Sequence, residues 1–303
     1  VCKVQRGMFS PKGLFSIVAS AMRSMRFMVA LRRSYSFDIV YSNSIAVFGG
    51  ALVAKWWGLP HVWHIREILG GSMAVTKAFR LAVQLLSSRV ICNSRETMAW
   101  IRGSRSGDPR YDVVWNGYDL PSVQTEVSAA RFQLGANSDD VLFVLVGRIN
   151  SWKGHALLIN SFASVASSGT PMRLALVGSA FAGQEHFEEQ LKVAISESGC
   201  PGRIGLYPFR SDVETVWSAA DVVVVPSTSP EPFGRVAVEA MAFGKPVVAA
   251  AHGGLIEIVE HNITGILVKP RDQHELCVAL RRLAENSGER IQLGSAGRER
   301  QLK

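Results

Sequence analysis

Two glutamates set the chemistry of the second half of the chain. Glu231 lies in Pro226-Ser-Thr-Ser-Pro-Glu231-Pro-Phe-Gly234-Arg235-Val236, and Glu239 follows eight residues later. The segment leaves an apolar strand, crosses a Pro-rich turn and enters a helix at Phe233 or Gly234. Unpaired N–H groups of Phe233, Gly234, Arg235 and Val236, with the helix dipole, would make an anion site. Arg235 adds charge if it points inward. At about 100° per residue, eight helical steps would leave the two carboxylates roughly 80° apart. Both could reach a cleft at the helix start, at different depths. That arrangement suits a ligand with a sugar at each end and phosphate between. A second cationic pair, Arg148 and Lys153, flanks the strand-ending Gly147 and precedes Gly154. Fixed cations there would stabilise a diphosphate as it gains charge on leaving.

The elements that must hold these residues alternate. Apolar runs at Asp38–Tyr41, His61–Ile65, Arg89–Cys92 and Asp112–Trp115 read as strands, with helices over Ser44–Trp57, Ser72–Leu86 and Glu96–Arg102, the last capped by Ser94. The pattern weakens from Val123 to Asp140 and restarts at Val141–Val146. Strands at Arg173–Val177, Ile204–Leu206, Val222–Val225, Pro246–Ala249 and Gly265–Val268 then alternate with helices, of which the last clear one is Gln273–Ala284. Strict alternation implies parallel sheets covered on both faces. The expected architecture is α/β: two doubly wound domains, 1–122 and 123–303, facing across a cleft that is the default ligand site.

Composition narrows the partners. Of 303 residues, 48% are hydrophobic and 19% charged, which excludes a disordered or fibrous chain. No apolar run reaches the roughly 18 uncharged residues of a membrane span. Cys2, Cys92, Cys200 and Cys277 have no paired spacing, so neither a disulfide framework nor a zinc site is expected. The net charge is +8, and its excess is one-sided: residues 1–120 hold 16 Lys+Arg against 6 Asp+Glu, the remainder 17 against 19. A basic half implies an anionic partner. The stretch Phe15 to Arg33 interleaves apolar residues with Arg23, Arg26, Arg32 and Arg33, as does a helix that packs its apolar side on its own domain, or one that lies on an acidic lipid surface; a basic outer face allows both. No strand mixes aromatic and basic residues as nucleic-acid binders do. Histidines 155, 186, 261 and 274 read as surface residues.

The segment from Pro226 to Pro246 resembles the Glu-x7-Glu signature of family-4 retaining glycosyltransferases, which have the GT-B fold. Other pieces agree in order. Gly147-Arg148 with Lys153-Gly154, Val177-Gly178, Ala220-Asp221, Gly244-Lys-Pro-Val-Val, Gly253-Gly254 with Glu257, and Thr264-Gly265 all resemble motifs of the family's donor domain. His61 to Glu67, Asn93-Ser94 and Asn116-Gly117-Tyr118-Asp119 resemble motifs of its acceptor domain.

The resemblance implies transfer of a sugar from a nucleotide-sugar to a lipid-linked or polysaccharide acceptor hydroxyl, with retained configuration, at the cytoplasmic face of the membrane. It implies that Arg148 and Lys153 hold the diphosphate, Glu231 lies near the donor sugar, and Glu239 accepts from the ribose hydroxyls. Phe233 to Val236 would bind the sugar-phosphate region, and His64 would orient sugar and acceptor. Base contacts are expected from the loop holding Tyr207 and Phe209. No cofactor and no metal are implied, since no Asp-x-Asp occurs. Family members usually start with a strand and a Gly-rich loop and end with a helix crossing back; neither is evident, so the chain reads as trimmed at both ends. Two other readings are a sugar-nucleotide epimerase of the same fold and a nucleotide-sugar-binding subunit without turnover.

Overall fold

The computed structural model describes residues 22–23, 26–70, 73–103, 107–119, 126–166 and 169–302. Most of the expected amphipathic stretch before residue 26, and the expected domain boundary at 122, lie outside them. The chain divides into two compact units, Val1–Asn116 and Gly117–Lys303.

The first unit is a four-stranded parallel sheet in the order β1 (Val40–Asn43), β2 (His61–Ile65), β3 (Arg89–Cys92), β4 (Tyr111–Val113). Helices α1 (Phe48–Trp57), α2 (Met73–Leu86) and α3 (Arg95–Arg102) make the crossovers. Ser94 caps α3 by accepting from Thr97 N at 2.9 Å, satisfying one of the orphan donors of the first turn. Trp63 and Ile65 on β2 are fully buried with Phe79 and Val83 of α2.

The second unit is a six-stranded parallel sheet. Its strands are β5 (Val141–Val146), β6 (Met172–Val177), β7 (Ile204–Tyr207), β8 (Val222–Val225), β9 (Val247–Ala250) and β10 (Gly265–Val268), in the order β10-β9-β8-β5-β6-β7. The chain thus winds outward from β5 to β7, returns to the centre, and winds the other way from β8 to β10. The crevice at the carboxyl ends of β5 and β8, where the direction reverses, is where such sheets bind ligands. Both faces of this sheet are covered, which is why β8 is four buried valines rather than an alternating strand. Around it pack α4 (Val127–Gln133), α5 (His155–Ala166), α6 (His186–Glu197), α7 (Val213–Ala219), α8 (Arg235–Ala242), α9 (Leu255–Ile258), α10 (Gln273–Glu285) and α11 (Ser287–Gln301). Asp221 ties the two central strands: its Oδ2 accepts from Leu142 N at 2.7 Å and from Arg131 Nη1 at 2.8 Å.

Three expectations need correction. Helix α8 starts at Arg235 rather than at Phe233 or Gly234, because Gly234 turns into the left-handed region at φ 102° and ends the preceding loop. The weak stretch after Val123 contains α4. Gln273–Ala284 is not the last helix; α11 follows, started by Asn286, whose side chain accepts from Glu289 N.

Candidate functional site

The ends of β5 and β8 are joined by one ion pair. Lys153 Nζ donates to Glu231 Oε1 at 2.6 Å, and Ser227 Oγ donates to the same oxygen at 2.6 Å. Glu231 is 5% exposed. A buried carboxylate is tolerated only when it is paired and hydrogen-bonded, as here. The loop carrying Lys153 is built by Asn150, whose Oδ1 accepts from the N–H groups of Trp152 and Lys153, both at 3.0 Å. It is latched to the β8 loop by Thr228 N, which donates to Trp152 O at 2.7 Å.

The Glu231 loop is fixed from its other side by Gly253-Gly254. Gly254 N donates to Glu231 O at 2.7 Å. A β-carbon on Gly253 would sit 2.3 Å from Glu231 O, so the approach requires glycine. His252 Nε2 lies 2.8 Å from Ser227 O and holds the same loop. Phe233 is buried in the core, leaving its backbone at the helix entrance.

Arg148 is exposed and forms no ion pair among the described residues. Its guanidinium lies over the ring of Phe181, 3.3 Å from the centroid, and partial burial pushes its pKa down. A cation held by an aromatic face without a carboxylate is available to an anion. Phe181 carried no motif and was missed by sequence reasoning.

Glu239 is 5% exposed, and Arg235 Nε donates to its Oε1. Arg235 itself is 71% exposed, so it points out along the helix and does not line the helix entrance. Tyr118 packs against the core of this unit. Burial, with the charge of Glu239 behind it, pushes the Tyr118 hydroxyl up to about 12, and that oxygen is buried with no partner among the described residues. Tyr207 packs on the core, and Phe209 is exposed, its N–H donating to Ser179 Oγ at 3.0 Å.

In the first unit, His64 lies next to the end of β2. Its Nδ1 meets the Tyr41 hydroxyl at 2.5 Å and its Nε2 is buried with no partner among the described residues. Burial lowers its pKa, with Arg66 adding to the effect and Glu67 opposing it. Glu67 is a structural acceptor for Ile45 N at 3.1 Å. His155 contradicts its reading as a surface residue: it is 2% exposed at the first position of α5. Among the described residues no group of three His, Cys, Asp or Glu is placed to share a metal ion.

Comparison with known proteins agrees with the fold. The chain is 33% identical over 285 residues to the D-inositol 3-phosphate glycosyltransferase of Frankia alni, covering 86% of this chain and 70% of that protein. It is 31% identical over 290 residues to that of a Nocardioides strain, covering 87% of this chain and 63% of the relative, so it spans less than two thirds of that protein. Among solved structures, Anabaena HepE in complex with UDP-glucose superimposes with a TM-score of 0.81 at 30% identity, over 90% of this chain and 76% of HepE. Sucrose-phosphate synthase from Thermosynechococcus elongatus gives 0.77 at 25%, over 97% and 75%. Residues 126–300 match the family described as glycosyl transferases group 1. A match over more than half the chain, with two α/β units of parallel sheet and GT-B neighbours, places this chain in the glycosyltransferase group 1 family.

Proposed function

We propose that the chain is a retaining glycosyltransferase that moves a sugar from a nucleotide-sugar to an acceptor hydroxyl on a lipid-linked or polysaccharide glycan. The observation that carries this reading is the Lys153–Glu231 pair at the reversal point of the sheet. It puts a cation and a carboxylate at 2.6 Å where a diphosphate and its sugar would lie.

In this reading the acceptor oxygen forms its bond to the anomeric carbon on the face from which the diphosphate oxygen departs, and that oxygen takes the acceptor proton. Lys153 and Arg148 neutralise the departing diphosphate. The N–H groups from Phe233 to Val236 bind the sugar-phosphate region. Glu231 holds the sugar hydroxyls and Glu239 those of the ribose. Burial lowers the pKa of His64 and favours its neutral ring, and His64 orients sugar and acceptor. The transfer needs no resident metal, because side-chain cations take that part.

The acceptor is reached at a membrane surface, on the cytoplasmic side. No helix among the described residues is long and apolar enough to cross one. In the first unit, the helical segment 26–34 exposes Phe27 beside Arg26, Arg32 and Arg33, and Trp56 is 61% exposed. Apolar rings among arginines suit an anionic headgroup layer.

HepE was solved with UDP-glucose, which makes UDP-glucose the first donor to assay. The relatives' names make inositol 3-phosphate the first small acceptor. Proton NMR of the product should show the anomeric configuration of the donor. An inverted product, or no nucleotide that raises the melting temperature, contradicts the proposal. Vesicle binding that ignores salt and anionic lipid contradicts the membrane part.

A further inference from the structure

Two donors meet on one oxygen of Glu231, and they differ in how firmly they are held. Lys153 reaches it with an ammonium at the end of a flexible four-carbon stem. Ser227 reaches it with a hydroxyl carried on a single side-chain carbon, and the backbone there is latched from three sides. Ser227 O accepts from His252 Nε2 at 2.8 Å. Thr228, the next residue, donates its N–H to Trp152 O at 2.7 Å, and its carbonyl accepts from Arg271 Nε at 3.0 Å. Ser227 follows closely on the buried valines of β8 and is itself 0% exposed. A short side chain on a latched backbone is a preorganised donor, which the lysine is not.

The difference matters once a diphosphate is bound. Its oxygens compete with Glu231 for the Lys153 ammonium. A carboxylate that is 5% exposed then loses its cation, and Ser227 is the remaining side-chain donor on it among the described residues. A buried charge left without a donor costs more than the bond it has lost. Both present donors use Oε1. An ionised carboxylate only accepts, so Oε2 is left to take hydrogen bonds from sugar hydroxyls.

We infer that Ser227 is the positioning residue for Glu231 when donor is bound: the carboxylate pivots on the Ser227 hydroxyl as Lys153 turns to the diphosphate, and its other oxygen meets the sugar. The inference rests on the nucleotide-sugar reading given above and divides the work within it. Lys153 answers to the diphosphate. Ser227 answers to the sugar, through Glu231 and without touching the substrate itself. Removing the hydroxyl therefore costs recognition of the sugar and spares that of the nucleotide.

Calorimetric titration of the intact chain with UDP and with UDP-glucose tests this. Ser227→Ala keeps the contact to His252, which uses the backbone carbonyl, and keeps the Lys153–Glu231 pair. It should weaken UDP-glucose about tenfold or more and leave UDP within about twofold. In a Glu231→Ala background the same change should cost UDP-glucose no more than about twofold, because the residue it acts through is gone. UDP affinity in each variant reports that the site is still folded. Equal losses of UDP and UDP-glucose, no loss of either, or a full loss again in the Glu231→Ala background overturn the role of Ser227 and leave the transferase reading standing. A native chain that binds neither ligand, or UDP alone, overturns the donor-site reading for which UDP-glucose is the probe, and the inference with it.

Discussion

Lys153 and Glu231 lie 78 residues apart and form one ion pair at 2.6 Å, with side chains 18% and 7% exposed. The pair bridges the two central strands of the sheet through the loops that follow them. Each charge neutralises the other. A diphosphate would compete with Glu231 for the ammonium and turn the carboxylate toward sugar hydroxyls. Lys153→Met should therefore lower kcat with the nucleotide-sugar by about 10²–10³, the range for losing one fixed donor to a developing anion. The donor KM should change far less. Steady-state kinetics decide this, and a change confined to KM would reassign Lys153 to ground-state binding.

Glu239 and Arg235 predict opposite outcomes although they touch. Glu239 is buried at the helix and Arg235 is 71% exposed. Arg235→Ala strips a buried carboxylate of its cation and should lower stability, while leaving nucleotide affinity within about threefold. Glu239→Ala removes the charged acceptor proposed for the ribose hydroxyls, at about 1.5–3 kcal/mol, and should weaken the nucleotide about 10–100-fold. Calorimetric titration with UDP separates them. Equal losses would mean that the charge pair, not the carboxylate, makes the contact.

The sequence made the strands of the parallel sheets and the Glu231 loop legible, and for a physical reason. Buried parallel strands need unbroken apolar runs, and Val222–Val225 can be read no other way. The close approach of Gly253 to Glu231 also leaves a readable mark, since only glycine fits. Helix α11 was hidden by the same kind of residue. Gly288, Gly294 and Gly297 look like breakers, yet a β-carbon on Gly294 would sit 2.0 Å from Gly244 O. The helix packs backbone against backbone, and no periodicity of apolar side chains reports that. The burial of His155 and the stacking of Arg148 on Phe181 depend on tertiary contacts with α6 and the β6 loop, which spacing along the chain does not encode.

Phe181 positions Arg148 through the face of its ring. A cation over an aromatic face gains about 0.5–1 kcal/mol at an exposed site. Phe181→Leu keeps an apolar wall and removes the π-face, so turnover should drop about two- to fivefold, in line with that energy. Phe181→Tyr should restore it. If leucine turns over as phenylalanine does, the ring only covers apolar surface.

Acid stability should follow His155. Its pKa is lowered from 6.5 to about 4 by burial, with Lys153 contributing in the same direction. The unfolded chain therefore binds a proton at this ring that the folded chain refuses. Stability is complete above about pH 6.5 and falls as the pH drops toward 4, by up to about 1.4 kcal/mol per pH unit, or some 3 kcal/mol in all. Below pH 4 both states are protonated and this contribution stops changing. His61 and His64, also lowered by burial, add to the slope in the same direction, so the loss belongs to all three rings. His155→Gln fills the space without a titrating group and should flatten the fall, whereas His64→Gln, at a half-buried strand end, should alter it less. Urea titrations across this range measure the slope directly. A His155→Gln curve parallel to that of the native chain would show that the ring accepts its proton without unfolding.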